Sequence, residues 1–169
     1  MNHPERIAFG SGSMIPVLFG SPYSMQDIQS IVSHTLQEKT TIFSLATSLQ
    51  IVVNAVGINS NSTISTSAVV FMSDTTAAAN LDGAQKYADI LKNKNVRITL
   101  ILMGNKVNST VLTNITSNFV TWSDLSQQQP ENWGNLFGPT LGCSGGVSTV
   151  GSTVAVSTTT FQPESTTGS

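Results

Sequence analysis

Ala68–Met72 (AVVFM) is a continuous apolar run that stops abruptly at Ser73-Asp74-Thr75-Thr76, where hydroxyls surround one carboxylate. Such a run, without polar alternation, suits a strand buried on both faces, as in a parallel sheet. A second apolar run, Val96–Met103 (VRITLILM), is ended by Gly104-Asn105. Between the two, Leu81–Lys92 puts Ala84, Tyr87, Ala88 and Leu91 on one face at helical spacing. Strand, helix, strand in that order is the unit of an α/β domain with a parallel sheet. In such sheets ligands bind beyond the carboxyl ends of the strands. Asp74 with its neighbouring hydroxyls is therefore a candidate ligand for a hard divalent cation such as Mg²⁺. The same residue types also cap helices, and the residues alone leave both readings open.

The remaining chain extends the alternation. Arg6–Gly10 and Met14–Phe19 read as two strands joined by Gly10-Ser11-Gly12-Ser13 in a hairpin, with Pro16 marking an edge strand. The GSGS stretch lacks the G-K-[ST] of a phosphate loop. A helix is expected over Ser24–Gln37, opened by Ser24 and Asp27 as an imperfect capping box, with Ile28, Ile31, Val32 and Leu36 inward. His34 on that helix reads as a solvated surface residue. The next helix, Phe43–Val56, carries Leu45, Leu49, Val52, Val53 and Val56 at helical spacing, and a hydroxyl from Thr40 or Thr41 just before it suits an N-cap. Beyond Asn105 the pattern predicts a short helix over Ser109–Thr116 with Val111, Leu112 and Ile115 inward. A strand at Phe119–Trp122 and a last helix begun by Pro130 follow, with Trp133, Leu136 and Phe137 on one face.

Composition narrows the function. The 169 residues suit one domain and a tail, and only 9% are charged, for a net charge of -2. No electrostatic footprint for nucleic acid exists, nor a polybasic membrane anchor. No apolar run nears the roughly 18 residues of a membrane span. The opening MNHPERIAF has no signal-peptide core. Three N-x-[ST] sequons, at Asn61, Asn108 and Asn114, nevertheless favour an extracellular glycoprotein. Cys143, the one cysteine, then points to a lost or intermolecular disulfide partner. No G-x-S-x-G elbow and no G-x-G-x-x-G fingerprint occur, and neither His3 nor His34 lies beside a nucleophile, so an enzyme is disfavoured. From Ser144 to Ser169, half of the residues are Ser or Thr and Glu164 is the only charge, a composition expected to be disordered.

The order of these segments resembles a von Willebrand factor type A domain. VVFMSD is similar to the strand bearing that family's third metal-site motif, and LDGAQKYADILKNKNVRITLILMG to the helix and strand after it. NFVTWSDLSQQQPENWGNLF, followed by Cys143, is similar to the type A domains of secreted nematode proteins, which often stand beside C-type lectin or CUB modules. The resemblance covers Glu5–Cys143. It implies a doubly wound, mostly parallel Rossmann-like sheet with one antiparallel edge strand, and a metal-ion-dependent adhesion site that recognises an extracellular protein or glycan. By the same resemblance Asp74 matches the metal-binding Asp, and Thr41, or alternatively Thr40, the metal-binding Thr. The family's D-x-S-x-S motif is absent; Asp124-Leu125-Ser126 begins like it, but after the last strand. The family's first strand and helix are then missing, as in a truncated gene product. Their loss would leave two strand edges open, between Arg6–Gly10 and Ala68–Met72, and with so few oxygens Mg²⁺ binding should be weak or absent. The expectation is a secreted cell-adhesion module. The alternatives are a surface-coat component that packs without metal and uses its tail as a spacer, and, behind it, an α/β enzyme.

Overall fold

The computed structural model describes residues 3, 6–11, 14–34, 43–58 and 66–142. Thr40, Thr41, Asn61, Cys143 and the Ser/Thr-rich tail 144–169 lie outside them. The described chain is mixed α/β. Strands β1 (Phe9–Ser11) and β2 (Met14–Val17) form an antiparallel hairpin. Helices α1 (Met25–His34) and α2 (Leu45–Ile58) follow. Strand β3 (Ser67–Met72), helix α3 (Ala84–Asn93), strand β4 (Arg97–Met103) and strand β5 (Phe119–Trp122) make up a parallel three-stranded sheet and one of its crossovers. Helix α4 (Trp133–Thr140) closes the described chain.

The parallel sheet has the order β3-β4-β5, so β4 is its centre, and every residue of β4 from Ile98 to Leu102 is buried. On one face Ala68, Val70 and Met72 of β3 join Ile98, Leu100 and Leu102 of β4. Leu45 and Leu49 of α2 and Ala84, Ala88 and Leu91 of α3 cover them, making the main core. The alternation of side chains sends Thr99 to the other face, where its hydroxyl donates to the Thr140 carbonyl at 3.0 Å and ties down the end of α4. Gly104 ends β4 with φ of 74°, a backbone state that suits glycine.

The expectation of a β3 buried on both faces is corrected. Its burial alternates: Ala68, Val70 and Met72 face the core, while Phe71 lies on the opposite face and is 53% exposed. The hairpin and the parallel sheet are separate sheets among the described residues, although β1, β2 and β3 all approach α2. Helix α1 is opened by the expected capping box: Ser24 N–H donates to Asp27 Oδ2 at 2.9 Å and Asp27 N–H to Ser24 Oγ at 3.1 Å. Its apolar face is less covered than its spacing predicts, with Ile28 buried but Val32 45% exposed. Helix α2 is capped by Ser44, whose Oγ accepts from Thr47 N–H at 3.2 Å. The short helix expected at Ser109–Thr116 is a 3-10 turn, Ser109–Leu112. The tighter winding keeps Leu112 and Ile115 inside and turns Val111 out. No helix among the described residues is long and apolar enough to cross a membrane.

Candidate functional site

Because β3, β4 and β5 run parallel, the loops after Met72, Met103 and Trp122 all leave the same rim of the sheet. The first holds Asp74. Its Oδ1 accepts from Thr76 N–H at 2.7 Å and from Thr76 Oγ at 2.6 Å. Asp74 therefore closes a local turn, a role that short polar side chains fill readily; the 3-10 turn that follows at Ala78–Asn80 has no side-chain cap. The two donors from Thr76, the side-chain one foremost, hold the Asp74 carboxyl below its usual range, and Lys106 adds a smaller pull in the same direction against slight desolvation. The first and second loops are pinned together. Thr75 N–H donates to the Lys106 carbonyl at 3.1 Å, and Thr75 Oγ accepts from Asn108 N–H at 2.8 Å. Buried Asn80 reaches the Asp74 carbonyl through Nδ2 at 3.4 Å.

The same turn recurs along the rim. Asn108 Oδ1 accepts from Thr110 N–H at 3.0 Å and Thr110 Oγ at 2.8 Å. Asp124 Oδ1 accepts from Ser126 N–H at 3.0 Å and Ser126 Oγ at 2.7 Å. Bonding by Ser126, side chain first, also lowers the Asp124 carboxyl below its usual range. The third loop borders an open hollow of about 790 Å³, lined by Trp122, Asp124, Gln127, Pro130, Glu131 and Asn132. The Trp122 indole N–H donates to the Asp124 carbonyl at 3.0 Å, fixing the ring at the strand's end.

Of the expected site residues, Asp74 stands on this rim and is partly exposed. Thr41 and Thr40, the expected co-ligands, fall outside the described residues, as do Asn61 and Cys143. Asn108 and Asn114 are both exposed. Asn108 sits in the rim loop after β4, whereas the Asn114 carbonyl accepts from Lys92 Nζ, at the end of α3, at 2.6 Å. Among the described residues no three His, Cys, Asp or Glu side chains gather as a metal-binding group. Asp124 also stands on this rim, on the loop after the last strand, where the resemblance does not place the D-x-S-x-S motif. Its one sequence signal was the D-x-S pattern, which it shares with metal motifs and with simple turns. The chain matches no family model and no curated protein.

Proposed function

We propose that this chain is an extracellular adhesion or recognition module of the von Willebrand factor type A kind, binding a protein or glycan at the carboxyl rim of its parallel sheet, with a metal site that is incomplete. The observation that carries the reading is Asp74, two residues beyond the end of β3, held ionised by Thr76 and pinned to the neighbouring loop through Thr75. Exposed sequons at Asn108 and Asn114 support passage through a secretory compartment.

Mg²⁺ takes near-octahedral oxygen coordination and keeps several waters when few protein oxygens are offered. Asp74 with one threonine would supply too few for tight binding, and Thr76 already occupies Oδ1. Recognition by this chain would rest on polar contacts from the rim rather than on a cation that a partner's acid completes. An array of extracellular-matrix proteins and glycans, probed with the chain with and without Mg²⁺, tests this. Binding that ignores Mg²⁺ and weakens at least about tenfold, near 1.4 kcal/mol, in Asp74→Ala is expected. Calorimetry revealing a micromolar Mg²⁺ site would overturn the incomplete metal site, and array binding untouched by Asp74→Ala would overturn the rim.

A further inference from the structure

We infer, resting on the extracellular reading above, that Asn108 carries an N-linked glycan that stands over Asp74 and screens the rim, admitting a slender ligand and turning away a broad protein face. Asn108-Ser109-Thr110 is an acceptor sequon, and both Asn108 and Thr110 are exposed. The Asn108 side chain commits only its oxygen to the fold. Oδ1 accepts from Thr110 N–H at 3.0 Å and from Thr110 Oγ at 2.8 Å, capping the turn Ser109–Leu112. Nδ2 makes no hydrogen bond among the described residues.

Glycosylation joins a sugar at that free atom. Nδ2 attacks the anomeric carbon of an oligosaccharide held on a polyprenyl diphosphate. The carbon–oxygen bond to the diphosphate breaks, the diphosphate departs with the electron pair, and one Nδ2 proton passes to a base of the transferring enzyme. The product amide keeps Oδ1 as an acceptor, so the folded chain accommodates the sugar without losing the cap.

The neighbouring loop fixes where the sugar stands. Asn108 N–H donates to Thr75 Oγ at 2.8 Å, and Thr75 N–H donates to the Lys106 carbonyl at 3.1 Å. Thr75 directly follows Asp74, so the Asn108 and Asp74 Cα atoms lie within roughly 10 Å, one hydrogen bond and one Cα step of about 3.8 Å apart. An N-linked glycan is bulky, and one tethered this close sweeps the space above Asp74. Asn114 provides the contrast. Its carbonyl accepts from Gln85 Nε2 at 3.2 Å and from Lys92 Nζ at 2.6 Å, which ties it to α3 and not to the Asp74 loop.

The test uses the whole chain, placed behind a cleavable secretion leader in a glycosylating cell line. Peptide mass spectrometry should find Asn108 occupied. Exposed Lys106, in the rim loop, reports access through its labelling by two amine-reactive esters, one small and one bearing a polymer. Trimming the N-glycans to a single sugar with an endoglycosidase should speed the polymer-bearing ester severalfold at Lys106 and leave the small one unchanged. That comparison alters no residue, so it holds even where a variant misfolds. Thr110→Val removes the sequon but keeps the Asn108 side chain and the capping N–H. It should give the same gain without trimming, and Asn114→Gln should not. On the array of matrix proteins and glycans, trimming should strengthen binding to folded proteins and leave binding to isolated glycans unchanged. An unoccupied Asn108 overturns the inference, as does an ester that trimming does not speed or a gain that Asn114→Gln matches. No gain in protein binding, or an equal gain for proteins and glycans, overturns the selection by width. Array binding unmoved by Asp74→Ala, with Asn108 occupied and the polymer-bearing ester still slowed, overturns the rim as the binding surface while the screen stands.

Discussion

Asp74 gains its position from the strand before it and its charge state from the residue two places after it. The hydroxyl and amide of Thr76 both bond the ionised form, so protonation in the folded state is harder than in the unfolded chain. The folded value lies below the ordinary 3.8. The sign follows from linkage: the turn's contribution to stability is full above the unfolded value and is lost as pH falls through the folded one. A carboxyl-carbon NMR titration should place the Asp74 midpoint below 3.8. Thr76→Val, which keeps the amide and removes the hydroxyl, should move it upward, and Lys106→Met should move it less. A midpoint unchanged by Thr76→Val would mean that the hydroxyl does not hold the carboxylate. The place of Asp74 was legible in the sequence because an apolar run shows where a strand stops. The turn it closes was not, since Asp-x-Thr reads equally as a cap, a ligand pair or a turn until the backbone dihedrals are known. Asn108 and Asp124 show the same ambiguity, one written as a sequon and the other as a fragment of a metal motif.

At the scale of elements, periodicity located the strands and helices, and tertiary neighbours decided how far each was buried. β5 runs over Phe119–Trp122 as its residues imply, and the inward face of α3 is Ala84, Ala88 and Leu91. β3 departed from expectation because a continuous apolar run reports side-chain character on both faces, not how far each face is covered by a packed layer. α1 departed for a related reason. Its spacing is amphipathic, yet only Ile28 is buried, so its helix relies on its own ends more than α2 does. The capping box is then a larger share of what holds α1. Ser24→Ala removes the acceptor for Asp27 N–H and a donor to its carboxylate. It should cost the helix about 1 kcal/mol. The loss should appear as faster amide exchange within Met25–His34, with β4 exchange unchanged. Slowed or unaltered exchange in α1 would show that packing, not the cap, sustains it.

For the molecule as a whole, the packing divides the described chain into a centre and a periphery. Leu45, Leu49, Leu91, Leu100 and Leu112 are fully buried in one cluster that joins α2, α3, the parallel sheet and the turn at Ser109–Leu112. Val17 of the hairpin and Ile28 of α1 are also buried, but neither belongs to that cluster. Regions with few shared apolar contacts open at lower free energy than the centre. Leu49→Ala removes side-chain volume where helix meets sheet and should lower the free energy of urea unfolding by about 2–5 kcal/mol. The same variant should speed exchange of the β4 amides in parallel, because they open only with the whole centre. Ile28→Ala should instead release α1 and leave the unfolding midpoint of the sheet nearly in place, a shift under about 0.5 kcal/mol, as for sites outside a cooperative unit. If Ile28→Ala lowered the midpoint as much as Leu49→Ala, the periphery would be part of the same cooperative unit. The first helix would then be a wall of the core rather than an attachment to it.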